Sequence, residues 1–135
     1  MKILIVDDFF FVRKQLRAAL QELGHHDVDD FADGTAAAVR LTASVSEEKH
    51  YDLILCDWHM PGMSGLGVLS VCRSLAPYRR TPFVLCTADA AESSVVQAIQ
   101  AGATDYLTKP LPMNTLAERL EKILARVMPP AAASS

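Results

Sequence analysis

Short apolar runs alternate with helix-spaced stretches along this chain, and that alternation restricts the fold more than any other feature. Residues 2–6 (KILIV) have the length and β-branched content of a strand. Behind them Val12, Leu16, Ala19, Leu20 and Leu23 recur at helical spacing until Gly24 ends the pattern. Residues 28–31 read as a weak strand, and Asp33-Gly34 turns the chain into a second helix running to about Val45. Residues 44–50 (SVSEEKH) read as a frayed helix end and a polar connection. Residues 53–57 form a strong strand pattern, and Leu66, Leu69, Val71 and Leu75 suit a third helix. Residues 82–87 (PFVLCT) read as a buried strand, 91–101 as a short helix capped by Gly102, and 104–107 as a fifth strand. Leu116, Leu120, Ile123, Leu124 and Val127 line a last amphipathic helix. Residues 129–135 (PPAAASS) have no periodicity and read as a disordered tail.

Five strands alternating with five helices imply parallel βαβ units and a sheet covered on both faces. Right-handed crossovers make this an open, doubly wound α/β sheet. With 135 residues the chain is read as one domain over 1–128 plus the tail. A net charge of -3 lacks the basic surface that nucleic acid or an anionic membrane calls for. No run reaches the roughly 18 apolar residues of a membrane span. The start, MKILIVDD, meets acid too early for a signal peptide. Cys56, Cys72 and Cys86 are odd in number and lack CxxC spacing, which speaks against structural zinc or a disulfide framework. A reducing cytoplasm is the expected compartment.

Open sheets of this kind bind ligands outside the carboxyl ends of their strands. Strand one ends in Asp7-Asp8, strand three in Asp57, strand four in Thr87, and strand five leads into Thr108-Lys109-Pro110. Each alone reads more simply as a strand leaving for solvent. Together they bring three carboxylates, a hydroxyl and an ammonium to one edge. Clustered carboxylates resist ionising, and a divalent cation relieves them. Oxygen-only ligands suit magnesium, which favours one or two carboxylates, waters and a phosphate. The chain has no GxGxxG, no GxxxxGK[ST] and no GxSxG, so dinucleotide, P-loop and hydrolase readings lack their marks. Gly62, Gly65 and Gly67 read as a turn and helix start. His25, His26, Asp27, Asp29 and Asp30 fit a solvated turn or, less simply, a metal group. His50 and His59 have no histidine partner four residues on.

The combination VDD after strand one, D-x-x-MPG around Asp57, T-A after strand four and K-P after strand five resembles response-regulator receiver domains. DDF, DW-x-MPGM and GA-x-DYL-x-KP are similar in particular to the single-domain chemotaxis regulators. The resemblance covers residues 1–128 and implies a flavodoxin-like sheet of order 2-1-3-4-5. It implies that Asp57 accepts a phosphoryl group from the phosphohistidine of a histidine kinase or phosphotransfer domain. It implies a Mg²⁺ ion on Asp8, Asp57 and the backbone carbonyl of His59, with Asp7 acting through water. Thr87 would bond the phosphoryl oxygen, Lys109 would pair with it, and Tyr106 would be the aromatic switch. Ala88 is small and leaves the donor a way in. The Lys109-Pro110 bond is cis in the family, although cis is the minority state for X-Pro in general.

With no DNA-binding pattern after helix five, the expected output is a protein target met by a monomer, with flagellar motor control the leading expectation. A phosphate shuttle or sink and an unphosphorylated pseudo-receiver are the alternatives. Three features depart from the resemblance. His59 stands where chemotaxis regulators carry Asn, with Asp89 acidic two residues after Thr87, and both are expected to tune phosphate loss. Residues 44–50 are long for their place. In Phe9-Phe10-Phe11, Phe9 matches, whereas Phe10 and Phe11 are read as core-edge or local packing, with a kinase-docking face as the alternative.

Overall fold

The computed structural model describes residues 1–88 and 92–127. Its elements run β1 (Ile3–Val6), α1 (Phe10–Glu22), β2 (Val28–Phe31), α2 (Gly34–Ser44), β3 (Leu53–Asp57), α3 (Gly65–Ser74), β4 (Phe83–Thr87), α4 (Glu92–Gln100), β5 (Asp105–Thr108) and α5 (Leu116–Val127). The five strands form one parallel sheet in the order β2-β1-β3-β4-β5. This is the doubly wound, flavodoxin-like architecture expected from the alternation and the resemblance.

Strand periodicity explains the two-sided core. Successive side chains point to opposite faces. Ile3 and Ile5 pack on one side with Leu16, Leu20, Leu53, Leu55 and Leu120, the side of α1 and α5. Leu4 and Val6 pack on the other with Leu41, Ile54, Val68 and Leu69, the side of α2 and α3. Both faces are buried, so β1, β3 and β4 read as unbroken apolar runs rather than alternating ones. Each fully buried Leu or Ile contributes about 1.5–3 kcal/mol. Asp33 caps α2 by accepting from Ala36 N at 2.7 Å, and Ser64 caps α3 by accepting from Gly67 N.

Four sequence readings change. The buried side of α3 is Gly65, Val68, Leu69 and Cys72, whereas Leu66, Val71 and Leu75 are only partly buried. Leu75 lies past the helix and opens a 3₁₀ turn, Ala76–Tyr78, which short local spacing does not reveal. Residues 44–50 are tied down: Arg40 makes a two-pronged pair with Glu47, and His50 Nε2 bonds Val45 O at 3.1 Å. Asp29 and Asp30 do not gather with His25 and His26; Asp29 accepts from Tyr51 and Asp30 pairs with Arg13 and Arg17. All three cysteines are buried thiols.

Candidate functional site

Parallel pairing delivers the carboxyl ends of β1, β3, β4 and β5 to one edge. Val6 pairs with Cys56, Asp57 with Cys86, and Thr87 with Thr108, so the residues at or just beyond each end come together. Lys109 N donates to Thr87 O at 2.8 Å, which holds the start of the β5–α5 loop against β4. The Lys109-Pro110 peptide is cis. Behind β3 the chain must turn sharply, and Gly62 supplies the left-handed residue with φ of 74°. Gly65 N then donates to Trp58 O at 2.8 Å. A Cβ at Gly65 would run into the Asp57 carbonyl, so only glycine lets α3 begin directly behind Asp57.

Ligand atoms of Asp7, Asp8 and Asp57 lie within 4.8 Å of one another, the one such group among the described residues. Asp7 is fully buried, Asp57 is 4% exposed, and Asp8 is half-buried. Lys109 Nζ sits 2.7 Å from Asp7 Oδ2 and 3.3 Å from Asp57 Oδ2. The Asp7 contact is the closer of the two and is a buried ion pair. Asp7 Oδ1 accepts from Phe9 N at 2.9 Å. Asp8 Oδ1 is buried with no hydrogen-bond partner.

The charges are out of balance. Burial raises the Asp57 carboxyl above the ordinary range; Lys109 opposes this and Asp7 adds to it. Burial pulls the Lys109 ammonium down, but Asp7 and then Asp57 outweigh it, so its pKa lies above the ordinary lysine value. Burial also pushes the neighbouring Cys86 thiol up to about 12 and Cys56 well above the usual thiol range, which leaves both inert. One ammonium thus faces three close carboxylates. An all-oxygen donor set with a buried carboxylate oxygen unpartnered fits a hard divalent cation.

The remaining predicted residues are placed as follows. Thr87 is buried at the end of β4. The His59 side chain is exposed, two residues past Asp57. Asp89 lies outside the described residues. Tyr106, 42% exposed on β5, stands away from the acidic edge over a groove of about 490 Å³ whose walls include Arg119 and Arg126. Phe10 and Phe11 correct the sequence reading: they are 68% and 66% exposed, and Phe9 is 61% exposed. The core beneath α1 is already closed by Leu16, Ala19 and Leu20, which leaves its first turn free to face solvent. Phe9 instead lies beneath Lys109, with Nζ 5.5 Å from its ring centroid.

The model for the response regulator receiver domain matches residues 3–121. The chain belongs to the response regulator receiver family. It is 36% identical over 127 residues to the chemotaxis protein CheY of Pseudomonas aeruginosa, covering 94% of this chain and 98% of that protein. It is 35% identical to CheY-3 of Vibrio cholerae, covering 94% of each. Among solved structures, Vibrio cholerae CheY4 superposes with a TM-score of 0.78 at 29% identity, over 91% of this receiver and 98% of that chain. The receiver domain of a sensor histidine kinase from Pseudomonas aeruginosa superposes with a TM-score of 0.76 at 32% identity, over 93% and 94% of the two chains. That structure holds a magnesium ion coordinated in its active-site cleft. The receiver is therefore a CheY-like module of a two-component system.

Sequence reasoning missed two contributors to the receiver's acidic edge. Gly65 was legible only as part of a turn set, because its reason is a contact with Asp57. Arg13 gave no signal, since its partner is the main-chain carbonyl of Asp7.

Proposed function

We propose that this receiver is a phosphorylation-activated switch whose phosphoacceptor is Asp57. One observation supports the reading: Lys109 Nζ bridges buried Asp7 and Asp57 while Asp8 Oδ1, beside them, has no hydrogen-bond partner among the described residues. A carboxylate oxygen of Asp57 attacks the phosphorus of a donor phosphohistidine, the phosphorus–nitrogen bond breaks, and the imidazole leaves with that electron pair. Asp8, Asp57 and the His59 carbonyl would hold Mg²⁺, with Asp7 acting through water. When bound, Mg²⁺ neutralises charge on the transferring oxygens. Lys109 supplies a second fixed positive charge at the same edge. Thr87 bonds a phosphoryl oxygen. Small Ala88 keeps the approach open, and the exposed Phe9-Phe10-Phe11 rim gives a donor protein an apolar footing beside Asp57.

Readout follows from charge. Phosphorylation adds about two negative charges and new acceptor oxygens at Asp57. Thr87 is drawn toward them, the space behind it opens, and Tyr106 turns inward. That reshapes the α4–β5–α5 face, where Arg119, Lys122 and Arg126 border the Tyr106 groove and favour an acidic protein segment. The CheY relatives point to chemotaxis and flagellar motor control as the setting, with a cytoplasmic monomer over residues 1–128 as the working unit. Water attack on the phosphoryl group resets the switch at a rate set by His59 and Asp89. The test is intact mass after incubation with acetyl phosphate. One phosphoryl group should appear, only with magnesium, and Asp57→Asn should remove it. Equal labelling of Asp57→Asn would reject the assignment.

A further inference from the structure

A cation in the first turn of α1 reaches the acidic edge from behind and takes no part in the phosphoryl chemistry above. Arg13 Nη1 donates to the main-chain carbonyl of Asp7 at 2.7 Å. Its Nε lies 3.3 Å from Asp30 Oδ1, and Asp30 Oδ2 accepts from Arg17 Nη2 at 2.6 Å. Asp30 belongs to β2 and pairs with Ile5 of β1. The Arg13 side chain is only 14% exposed, and the Phe10 ring lies 5.7 Å from its guanidinium. One planar fork therefore spans from β2 to the peptide joining Asp7 and Asp8.

That peptide is the point of leverage. The carbonyl of Asp7 and the Cα of Asp8 lie in one rigid plane, so fixing the first orients the second. Phe9 N already fixes the Asp7 side chain through Oδ1. No hydrogen bond holds Asp8 Oδ1. The direction of the Asp8 carboxylate thus follows its backbone, which Arg13 holds at the Asp7 carbonyl while the Asp7 amide is held by Phe31 O. A nearly buried ion pair adds little net stability for its desolvation cost, while a guanidinium fork fixes geometry well.

We propose that Arg13 is a positioning residue for the divalent cation: held by Asp30, it clamps the Asp7–Asp8 peptide and preforms the site between Asp8 and Asp57. This rests on the reading that the Asp7, Asp8 and Asp57 group takes magnesium. The clamp and the charge of Arg13 act with opposite sign. Charge alone says that removing a cation near a dication site tightens metal binding. Loss of the clamp says that it weakens. Arg13→Lys keeps the charge and loses the fork. Arg17→Ala removes a neighbouring cation from Asp30 Oδ2 and leaves both contacts of Arg13, to Asp30 Oδ1 and the Asp7 carbonyl, in place.

The test is a magnesium titration of the metal-free protein, read by Trp58 emission and by the metal-induced rise in melting temperature. Groups that orient metal ligands typically change affinity about ten- to a hundredfold when removed. Arg13→Ala should bind magnesium about tenfold more weakly than wild type, and Arg13→Lys several-fold more weakly. Arg17→Ala should stay within about twofold. Excess magnesium should restore the wild-type rate of phosphorylation by acetyl phosphate to both Arg13 variants, because the chemical groups are intact. If Arg13→Ala does not fold, Arg13→Lys decides alone. Unchanged or tighter binding in the folded Arg13 variants overturns the clamp, as does an equal loss in Arg17→Ala. A wild-type protein that binds no magnesium overturns the underlying site reading instead.

Discussion

The two ends of the sheet bury polar side chains in opposite ways. At the amino ends of the strands, Ser44 bonds Leu41 O and the Tyr78 hydroxyl, which also accepts from Tyr51 N. The Tyr51 hydroxyl donates to Asp29 at 2.6 Å and faces Arg40, which is paired with Glu47. This end is a closed network. At the carboxyl ends, Asp7 Oδ2 is met by Lys109 Nζ at 2.7 Å, Asp8 Oδ1 is buried with no hydrogen-bond partner among the described residues, and one ammonium faces three carboxylates. A buried polar group without a partner costs on the order of 1–3 kcal/mol. The same fold thus fastens one end and keeps the other end electrostatically strained. A satisfied network specifies packing, whereas the unpartnered oxygen of Asp8 beside two more carboxylates is the feature on which the proposed cation site rests.

Mutations should therefore have opposite signs at the two ends. The largest effect is at the fastened end. Tyr78 is fully buried, so Tyr78→Ala should lose about 3–5 kcal/mol in urea denaturation. Tyr78→Phe, which strands the Tyr51 amide while Ser44 keeps its bond to Leu41 O, should lose about 1–3 kcal/mol and leave phosphorylation unchanged. Equal harm to phosphorylation would break the separation.

Next in size is the metal. Magnesium at a hundred times its dissociation constant should add about 2.7 kcal/mol to wild-type stability and almost nothing to Asp8→Ala. A full gain in Asp8→Ala would place the ion elsewhere.

A smaller effect comes from Asp57 itself. Its pKa is raised in the folded, metal-free protein, mainly by burial. The stability tied to its proton is complete below the ordinary carboxylate range and is lost as pH rises through the raised value. Asp57→Asn removes that loss, so at pH 7 without metal it should melt a few degrees above wild type. The gap should close as pH falls below about 3.9. A variant less stable at pH 7 would show that the Lys109 pair outweighs the strain. The smallest stability effect is expected at exposed His59: His59→Asn should change the dephosphorylation rate several-fold while leaving magnesium affinity nearly unchanged. A large loss of affinity would assign the side chain to the metal.

The sequence carried the sheet well, because β1, β3 and β4 are buried on both faces and need unbroken apolar runs. It also placed Asp7, Asp8, Asp57, Thr87 and Lys109 at one edge, since strand ends in a parallel sheet share an edge whatever the details; their roles are those we propose. It carried α3 poorly: Val71 and Leu75 match helical spacing, yet the adjoining 3₁₀ turn carries Leu75 out of the helix. It misplaced Phe10 and Phe11 at the core edge, because apolar character does not say whether the core beneath is already full, although Phe10 does pack locally against Arg13. Arg13 and Gly65 were illegible, as each acts on a main-chain carbonyl that no side-chain pattern encodes.

The central claim is that the strained end receives its phosphoryl group on Asp57. Wild-type protein treated with acetyl phosphate and magnesium, digested and mapped by peptide mass, locates the modified residue. The account predicts a single phosphoryl group on Asp57, bound as an acyl phosphate that hydroxylamine releases, and none when magnesium is chelated. A phosphoryl group on any other residue, or one on Asp57 that forms equally well without magnesium, would contradict it.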